Sequence, residues 1–437
     1  MSGFHHKDAP PRIPTIHRTA IIVNFELTEA RTPIAVISLT VWGSEKGNQA
    51  VKIAHIITRL IIGGAQENTL LSVLGQRDAH GDEVALITGP GLGPEGSLEP
   101  AALAAGVDLR VIPEMRRAIH PLRDWRSYLA LRHLLREYRP DIVHTHSSKA
   151  GVLGRLAADK LGIPVVHTIH GSSFHRNQRA VGRWLTVQAE RWAARRCQAL
   201  ISVCDAMTDQ YVAAGVASRD LFTTVYSGMR VDRFLQPDRS PEVVRAELGL
   251  APEHIVVGKV ARLFHLKGHA DVIQAAARIA DTIPELRFVF VGDGILRGQF
   301  EQQLSAAGLS DRFVFTGLVA PERVAELIHA MDVVVHTSLR EGLARVLPQA
   351  LIAGKPVVSY DVDGAREVVI SGETGALIAP GDIDALAHAI SELSRDAAQR
   401  ERLGATGRQR FTDQFRYETM NRELRAVYER VLESVRK

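Results

Sequence analysis

At 437 residues the chain is too long for one ordinary core, so two domains are expected. With 46% hydrophobic and 23% charged residues it reads as globular rather than disordered or fibrous. Its 53 Lys and Arg nearly balance 49 Asp and Glu, and a net charge of +4 does not imply a nucleic-acid partner.

Residues 1–50 lack periodicity: His5, His6, Pro10, Pro11 and Pro14 sit among broken apolar runs. They are expected to form an N-terminal extension outside the fold. The pattern changes at Val51, which is expected to be the true initiator, with the upstream part an annotation artefact. No uncharged apolar run reaches the roughly 20 residues needed to span a bilayer. The stretch Pro33–Ser44 is too short, and Glu26, Glu29 and Arg31 interrupt what precedes it. A secretory leader is also a poor fit, because no apolar segment lies close behind a basic start.

From Val51, short β-branched runs alternate with helical patterns. The first series of strands is Val51–Ile57, Glu83–Thr88, Asp108–Ile112, Asp141–Thr145, Pro164–Ile169, Ala199–Val203 and Thr223–Tyr226. Between them, Leu122–Tyr138 reads as an amphipathic helix with Leu122, Trp125, Leu129 and Leu134 at helical spacing. The second series is Ile255–Ala261, Arg287–Gly292, Arg312–Thr316, Asp332–His336, Pro356–Tyr360 and Ala376–Ala379. Strand–helix alternation means right-handed βαβ units and parallel sheets. The fold class is therefore α/β, with two doubly wound Rossmann-like domains facing a central cleft. The first is expected over 51–235 and the second over 236–416, with a final helix near 417–437. Ligands of such sheets bind beyond the carboxyl ends of the strands.

The motifs fall at those ends. Ile62-Gly63-Gly64-Ala65 follows the first strand; its glycines either let backbone N–H groups approach a phosphate or sugar, or simply make a tight turn. His170-Gly171 ends a first-domain strand, aimed into the cleft. His144 and His146 on the neighbouring strand read as core or supporting residues, and Lys149 as a border of the cleft. Gln178–Arg196 carries five arginines interleaved with Trp184, Leu185 and Trp192. Such a helix either lies on an anionic membrane or packs its tryptophans inward.

In the second half, Arg262 and Lys267 stand at the mouth of one strand, where two cations can neutralise a diphosphate. Gly292-Asp293-Gly294 is not a dinucleotide fingerprint, because Arg297 occupies the third glycine position; Asp293 is read as a helix cap. The backbone of Gly317-Leu318 can face a nucleobase. Asp361 and Asp363 are read as loop caps rather than metal ligands. The most informative stretch is Arg340-Glu341-Gly342-Leu343-Ala344-Arg345 through Gln349 to Gly354-Lys355-Pro356. It is expected to open a helix near Gly342, with N–H groups turned to an anion. Glu341 and Gln349, a little over two turns apart, can face one ligand, an arrangement suited to a nucleotide-sugar. Cys197 and Cys204, without a Cys-x-x-Cys pattern, argue against a disulfide framework or a zinc site and fit a reducing cytoplasm.

In this order, the motifs from Val51 to about Phe415 resemble the family 4 glycosyltransferases of the GT-B fold. The resemblance implies a retaining transferase that moves a sugar from a UDP- or GDP-linked donor without a metal or cofactor. By position, Arg262 and Lys267 would hold the diphosphate and Glu341 the donor-sugar hydroxyls. The N–H groups of Leu343, Ala344 and Arg345 would contact the same sugar, with His170 near the reacting carbon. Gly63, Gly64, Gly292, Gly317, Leu318 and Gly342 would complete the donor site. The final helix would cross back onto the first domain. Gln349 departs from the family's second carboxylate, so its amide oxygen would accept from the ribose without charge. A saccharide or lipid-linked acceptor, cell-surface polysaccharide or glycolipid synthesis, and peripheral contact with the inner membrane surface complete this expectation. The rivals are a nucleotide-sugar 2-epimerase of the same architecture and a non-catalytic sugar-nucleotide-binding protein.

Overall fold

The computed structural model describes residues 50–93, 96–174 and 178–436. The expectations for the N-terminal extension lie outside the described residues, except at residue 50. All thirteen expected strands form, with ends shifted by a residue or two. They are β1 Lys52–Ile57, β2 Glu83–Thr88, β3 Asp108–Val111, β4 Ile142–His146, β5 Val165–Ile169, β6 Ala199–Ser202, β7 Phe222–Thr224, β8 Ile255–Val260, β9 Leu286–Val291, β10 Phe313–Gly317, β11 Val333–His336, β12 Val357–Tyr360 and β13 Gly375–Ile378. Every pairing between these thirteen strands is parallel. The order β3-β2-β1-β4-β5-β6-β7 makes one sheet, and β10-β9-β8-β11-β12-β13 a second. In each, the order reverses beside the first strand, so a crevice opens between β1 and β4 and between β8 and β11.

The first lobe carries α1 Gly64–His80, α2 Glu99–Ala104, α3 Pro121–Tyr138, α4 Ser148–Asp159, α5 Ala180–Ala194 and α6 Asp205–Ala213. The connection and second lobe carry α7 Asp232–Leu235, α8 Pro241–Glu247, α9 His269–Ile279, α10 Arg297–Ala306, α11 Pro321–His329, α12 Val346–Ile352, α13 Ile383–Arg395 and α14 Ala397–Phe411. The last helix, α15 Tyr417–Arg436, packs on α1: Gln76 Nε2 donates to the Asn421 carbonyl at 2.9 Å. Asp82 and Arg425, both buried, pair at 2.5 Å. Gly75 permits that approach, since a Cβ there would lie 2.0 Å from Asn421 Nδ2.

Two expectations need correction. On α3 the core face is Tyr128, Leu131, Leu135 and Tyr138; of the expected stripe, Leu134 packs partly buried against that core, whereas Leu122, Trp125 and Leu129 are exposed. The helix has two apolar stripes, and the buried one is not the one the spacing suggested. Likewise Asp293 does not cap α10, which begins at Arg297 behind Leu296. Its carboxylate instead accepts from the Gly294 N–H at 2.8 Å.

Candidate functional site

Because β8 and β11 are neighbours, the loops leaving their carboxyl ends, 261–268 and 337–345, lie side by side. Gly268, with φ of 67°, closes the first loop against the second. A Cβ there would stand 2.0 Å from the Thr337 carbonyl oxygen, so only glycine lets these backbones meet. The approach carries Lys267 to Glu341, with Nζ to Oε1 at 2.5 Å and both side chains about a fifth exposed. His336 Nε2 lies 3.5 Å from the same oxygen. Burial pushes the Glu341 carboxyl up, but His336 and Lys267 outweigh it and hold the pKa at about 2. The Glu341 N–H donates to Asp363 Oδ2 at 2.8 Å, which fixes the loop from below.

Arg262 leaves the same strand end, but the two cations take different partners. Its exposed guanidinium lies over the Phe264 ring, 5.0 Å from the centroid. Gly292 and Gly317 are joined by a backbone hydrogen bond of 3.1 Å, and both have positive φ. Leu318 beyond them is exposed. The expected helix near Gly342 starts later, since α12 opens only at Val346. The residues Gly342 to Arg345 therefore form a bend ahead of the helix, with Leu343 and Ala344 buried and Arg345 partly so. Gln349 lies inside α12 and is partly exposed.

The first lobe meets this region directly. Arg345 Nη1 reaches Glu67 Oε2 at 2.7 Å and the Gly64 carbonyl at 3.3 Å, beside the Gly63-Gly64 turn that opens α1. A Cβ at Gly342 would lie 3.0 Å from the His170 carbonyl oxygen. Burial, then the Arg345 charge, lowers the His170 pKa to about 4, so its ring is neutral near pH 7. Elsewhere, Glu367 of the second lobe accepts from the N–H groups of Asp205 at 3.0 Å and Ala206 at 2.8 Å, and from Tyr226 Oη at 2.9 Å. A cavity of about 860 Å³ lies between the lobes, with Phe174, Arg183, Asp205, Gln210, Glu341 and Asp363 in its wall. It adjoins the site on the Glu341 side and does not include Arg262 or Lys267.

Other sequence candidates have structural partners. Lys149 pairs with Asp124 of α3 at 2.6 Å. Asp361 pairs with Arg366 at 2.8 Å, and Asp363 Oδ1 accepts from Gln210 Nε2 of α6 at 2.6 Å; neither caps the short helix that follows, whose start at Val362 has no side-chain cap. Trp184 and Trp192 of α5 are exposed, so neither packs inward. Sequence reasoning missed Lys259, fully buried in β8, whose Nζ donates to Thr337 Oγ1 at 2.9 Å. Burial, then Lys267, lowers its pKa to about 7. A lysine inside the apolar run Ile255–Val260 was the available signal. Glu67 and Glu367 had none, since their partners lie far away in sequence, whereas His336 ends β11 only a few residues before its partner Glu341.

Comparison with known proteins gives the family of the chain. Residues 241–410 match the family described as glycosyl transferases group 1, and residues 63–228 the glycosyl transferase 4-like domain. A 2-deoxystreptamine glucosyltransferase from Streptomyces kanamyceticus is 30% identical over 308 residues, covering 68% of this chain and 80% of its own. A UDP-Gal:alpha-D-GlcNAc-diphosphoundecaprenol alpha-1,3-galactosyltransferase from Escherichia coli is 30% identical over 295 residues, 65% of this chain and 74% of its own. Among solved structures, HepE from Anabaena in complex with UDP has a TM-score of 0.74 at 23% identity, covering 86% of this chain and 99% of its own. WaaG, a glycosyltransferase involved in lipopolysaccharide biosynthesis, has a TM-score of 0.66 at 19% identity, covering 85% and 98%. At those identities the structural likeness concerns the fold.

Proposed function

Since this chain belongs to the group 1 glycosyltransferases of the GT-B fold, we propose that it is a retaining hexosyltransferase of the family 4 type. It moves a sugar from a UDP- or GDP-linked donor to a saccharide or lipid-linked acceptor, in the synthesis of a cell-surface polysaccharide or glycolipid. The observation that carries this reading is the Lys267–Glu341 pair at the adjoining ends of β8 and β11, with His170 and the Gly63-Gly64 turn facing the same loop.

As the bond from sugar to diphosphate breaks, negative charge grows on the leaving phosphates. Lys267 has three donor protons, so it can bind a phosphate oxygen while keeping Glu341. Arg262 adds a second cation from the same loop, and charge-assisted hydrogen bonds of this kind contribute about 1.5–3 kcal/mol each. Glu341, ionised throughout the physiological range, accepts from donor-sugar hydroxyls, and the N–H groups of Leu343 to Arg345 donate to the same sugar. Gln349 accepts from the ribose; the backbone near Gly292, Gly317 and Leu318 borders the base. The acceptor attacks on the face from which the diphosphate leaves, and no step in this scheme calls for a metal.

A cytoplasmic site with a peripheral seat on the membrane is part of the same reading. On α5, Val181, Trp184, Leu185 and Trp192 form an exposed apolar stripe, with the exposed Arg195 near its C-terminal end and the Arg196 guanidinium over the Trp192 ring at 3.7 Å, a pattern suited to anionic headgroups. Among the described residues no helix is long and apolar enough to cross a membrane.

The test is nucleoside diphosphate release from a panel of UDP- and GDP-sugars, with soluble saccharides and vesicle-borne lipid diphosphate sugars as acceptors. Transfer that depends on an acceptor and preserves the anomeric configuration supports the reading. An epimer formed without any acceptor, or nucleotide binding with no turnover, overturns it.

A further inference from the structure

One face of the first sheet is largely aliphatic, with a row of histidines and the buried Thr88 and Thr168 set into it. Ile53, Ile57, Ile142 and Val166 pack there under α1 and α15. Parallel partners share a face, so the register His55↔His144, His144↔Val166 and His146↔Thr168 places His55, His144 and His146 among them. All three are fully buried. His55 Nδ1 lies 2.9 Å from His146 Nε2, and His146 Nδ1 lies 3.1 Å from His170 Nε2. The rings of His55 and His146, and of His146 and His170, are nearly parallel, at 12° and 25°, with centroids 5.2 and 5.3 Å apart, so they meet edge to edge through their nitrogens. A three-ring chain thus runs from the middle of β1 to the point where the lobes meet.

A metal explains this cluster less well. His144 has both nitrogens engaged, Nδ1 with Tyr428 Oη at 2.6 Å and Nε2 with Thr168 Oγ1 at 2.7 Å. His55 and His146 use their facing nitrogens on each other. Burial keeps the rings neutral, so each carries one proton and the chain has two directions. In one, His170 donates to His146 and His146 to His55, which leaves a proton on His55 Nε2. That atom is buried with no hydrogen-bond partner, and an orphaned buried N–H is the rarer arrangement. In the other, His55 donates to His146 and His146 to His170, and the orphan is only a lone pair.

We propose that His55 and His146 are positioning residues that set this second direction and so hold His170 with its proton on Nδ1. The ring then meets the substrate as a hydrogen-bond donor and not as an acceptor. The inference rests on the transferase reading proposed above and on the expectation, from the family resemblance, that His170 stands near the reacting carbon. A donor there can hold a sugar hydroxyl or the departing oxygen; a tautomer free to flip would present a lone pair to the same atom.

Two measurements on the full chain test it. Two-bond ¹⁵N–¹H spectra of histidine-labelled protein, with His170→Ala to identify the signal, are expected to show His170 in the Nδ1–H form. The Nε2–H form in the wild type overturns the proposal, whether or not transferase activity has been found. In kinetics, His146→Phe is expected to lower kcat roughly tenfold, the size of one net hydrogen bond, with donor KM little changed. His146→Asn, whose amide N–H can replace Nδ1–H, is expected to restore most of the loss. An unchanged kcat in the Phe variant, or an Asn variant equally impaired, contradicts it. If the Phe variant does not fold, the wild-type spectrum still decides. If no acceptor is ever glycosylated, the functional reading fails while the tautomer stands or falls by itself.

Discussion

The Lys267 ammonium lies 2.5 Å from the Glu341 carboxylate, 74 residues further along the chain. Two loops of the second lobe are thereby locked into one surface, and the diphosphate and the sugar of a single donor can be read together. Replacing Glu341 by Gln keeps the shape and removes the charge. Its kcat/KM is expected to fall by about 10²-fold, within the range for loss of one electrostatic contact to a reacting group, with a thermal midpoint within a few degrees of wild type. Steady-state nucleoside diphosphate release measures the first part of this claim, and a thermal melt of the two proteins the second.

The buried histidines make the protein acid-sensitive. Burial lowers His55 to about 3 and His170 to about 4, against a usual 6.5. Between pH 6.5 and about 4 the unfolded chain therefore binds more protons than the folded one. Stability falls as the pH drops through that window, by about 1.4 kcal/mol per pH unit for each such group. Glu341 acts lower down: held at about 2 against a usual 4.5, its contribution is present above pH 4.5 and lost as the pH falls toward 2. Urea midpoints are expected to fall little from pH 7.5 to 6.5 and more steeply from 6.5 to 5.5; midpoints constant to pH 5 would show that these rings are not held neutral by folding.

Glu367 of the second lobe receives the first N–H groups of α6 in the first lobe. It therefore serves as a cap supplied from across the cleft. Glu367→Ala is expected to destabilise by about 1–2 kcal/mol, the usual cost of a lost N-cap, and to speed hydrogen exchange at Asp205 and Ala206. Unchanged exchange at both amides would contradict a cross-lobe cap.

The C-terminal helix depends on a close approach. At Gly75 a methyl group would lie 2.0 Å from Asn421 Nδ2. Gly75→Ala is expected to cost about 1–3 kcal/mol through overpacking, despite the better helix propensity of alanine. Increased proteolysis within α15 would report the detachment.

On the membrane side, Trp184→Ala is expected to weaken binding to anionic vesicles roughly tenfold or more, since burying a large apolar side chain contributes about 1.5–3 kcal/mol. Added salt should weaken the wild type as well. Equal sedimentation of wild type and variant, at low salt, would remove α5 from the interface.

Much of this architecture was legible from one sequence. Buried parallel strands such as Ile255–Val260 are short β-branched runs bounded by turn residues, so thirteen strands and their two groupings follow from pattern alone. Sequence reading failed where a helix has two apolar stripes. On α3, Leu122, Trp125 and Leu129 repeat as well as Tyr128, Leu131 and Leu135, and spacing cannot say which meets the sheet. Gly342 suggested a helix start, because small residues often precede one, yet α12 begins at Val346. Arg345 with Glu67, and Glu367 with the start of α6, are joined only when the lobes come together. No local signal marks such pairs.

Calorimetric titration of UDP and GDP into wild type and Lys267→Ala addresses the central claim most directly. The expected result is tight binding of one nucleotide by the wild type and a Kd about tenfold or more weaker in the variant, as the loss of a charge-assisted hydrogen bond requires. Equal Kd values for the two proteins would contradict a diphosphate held at Lys267.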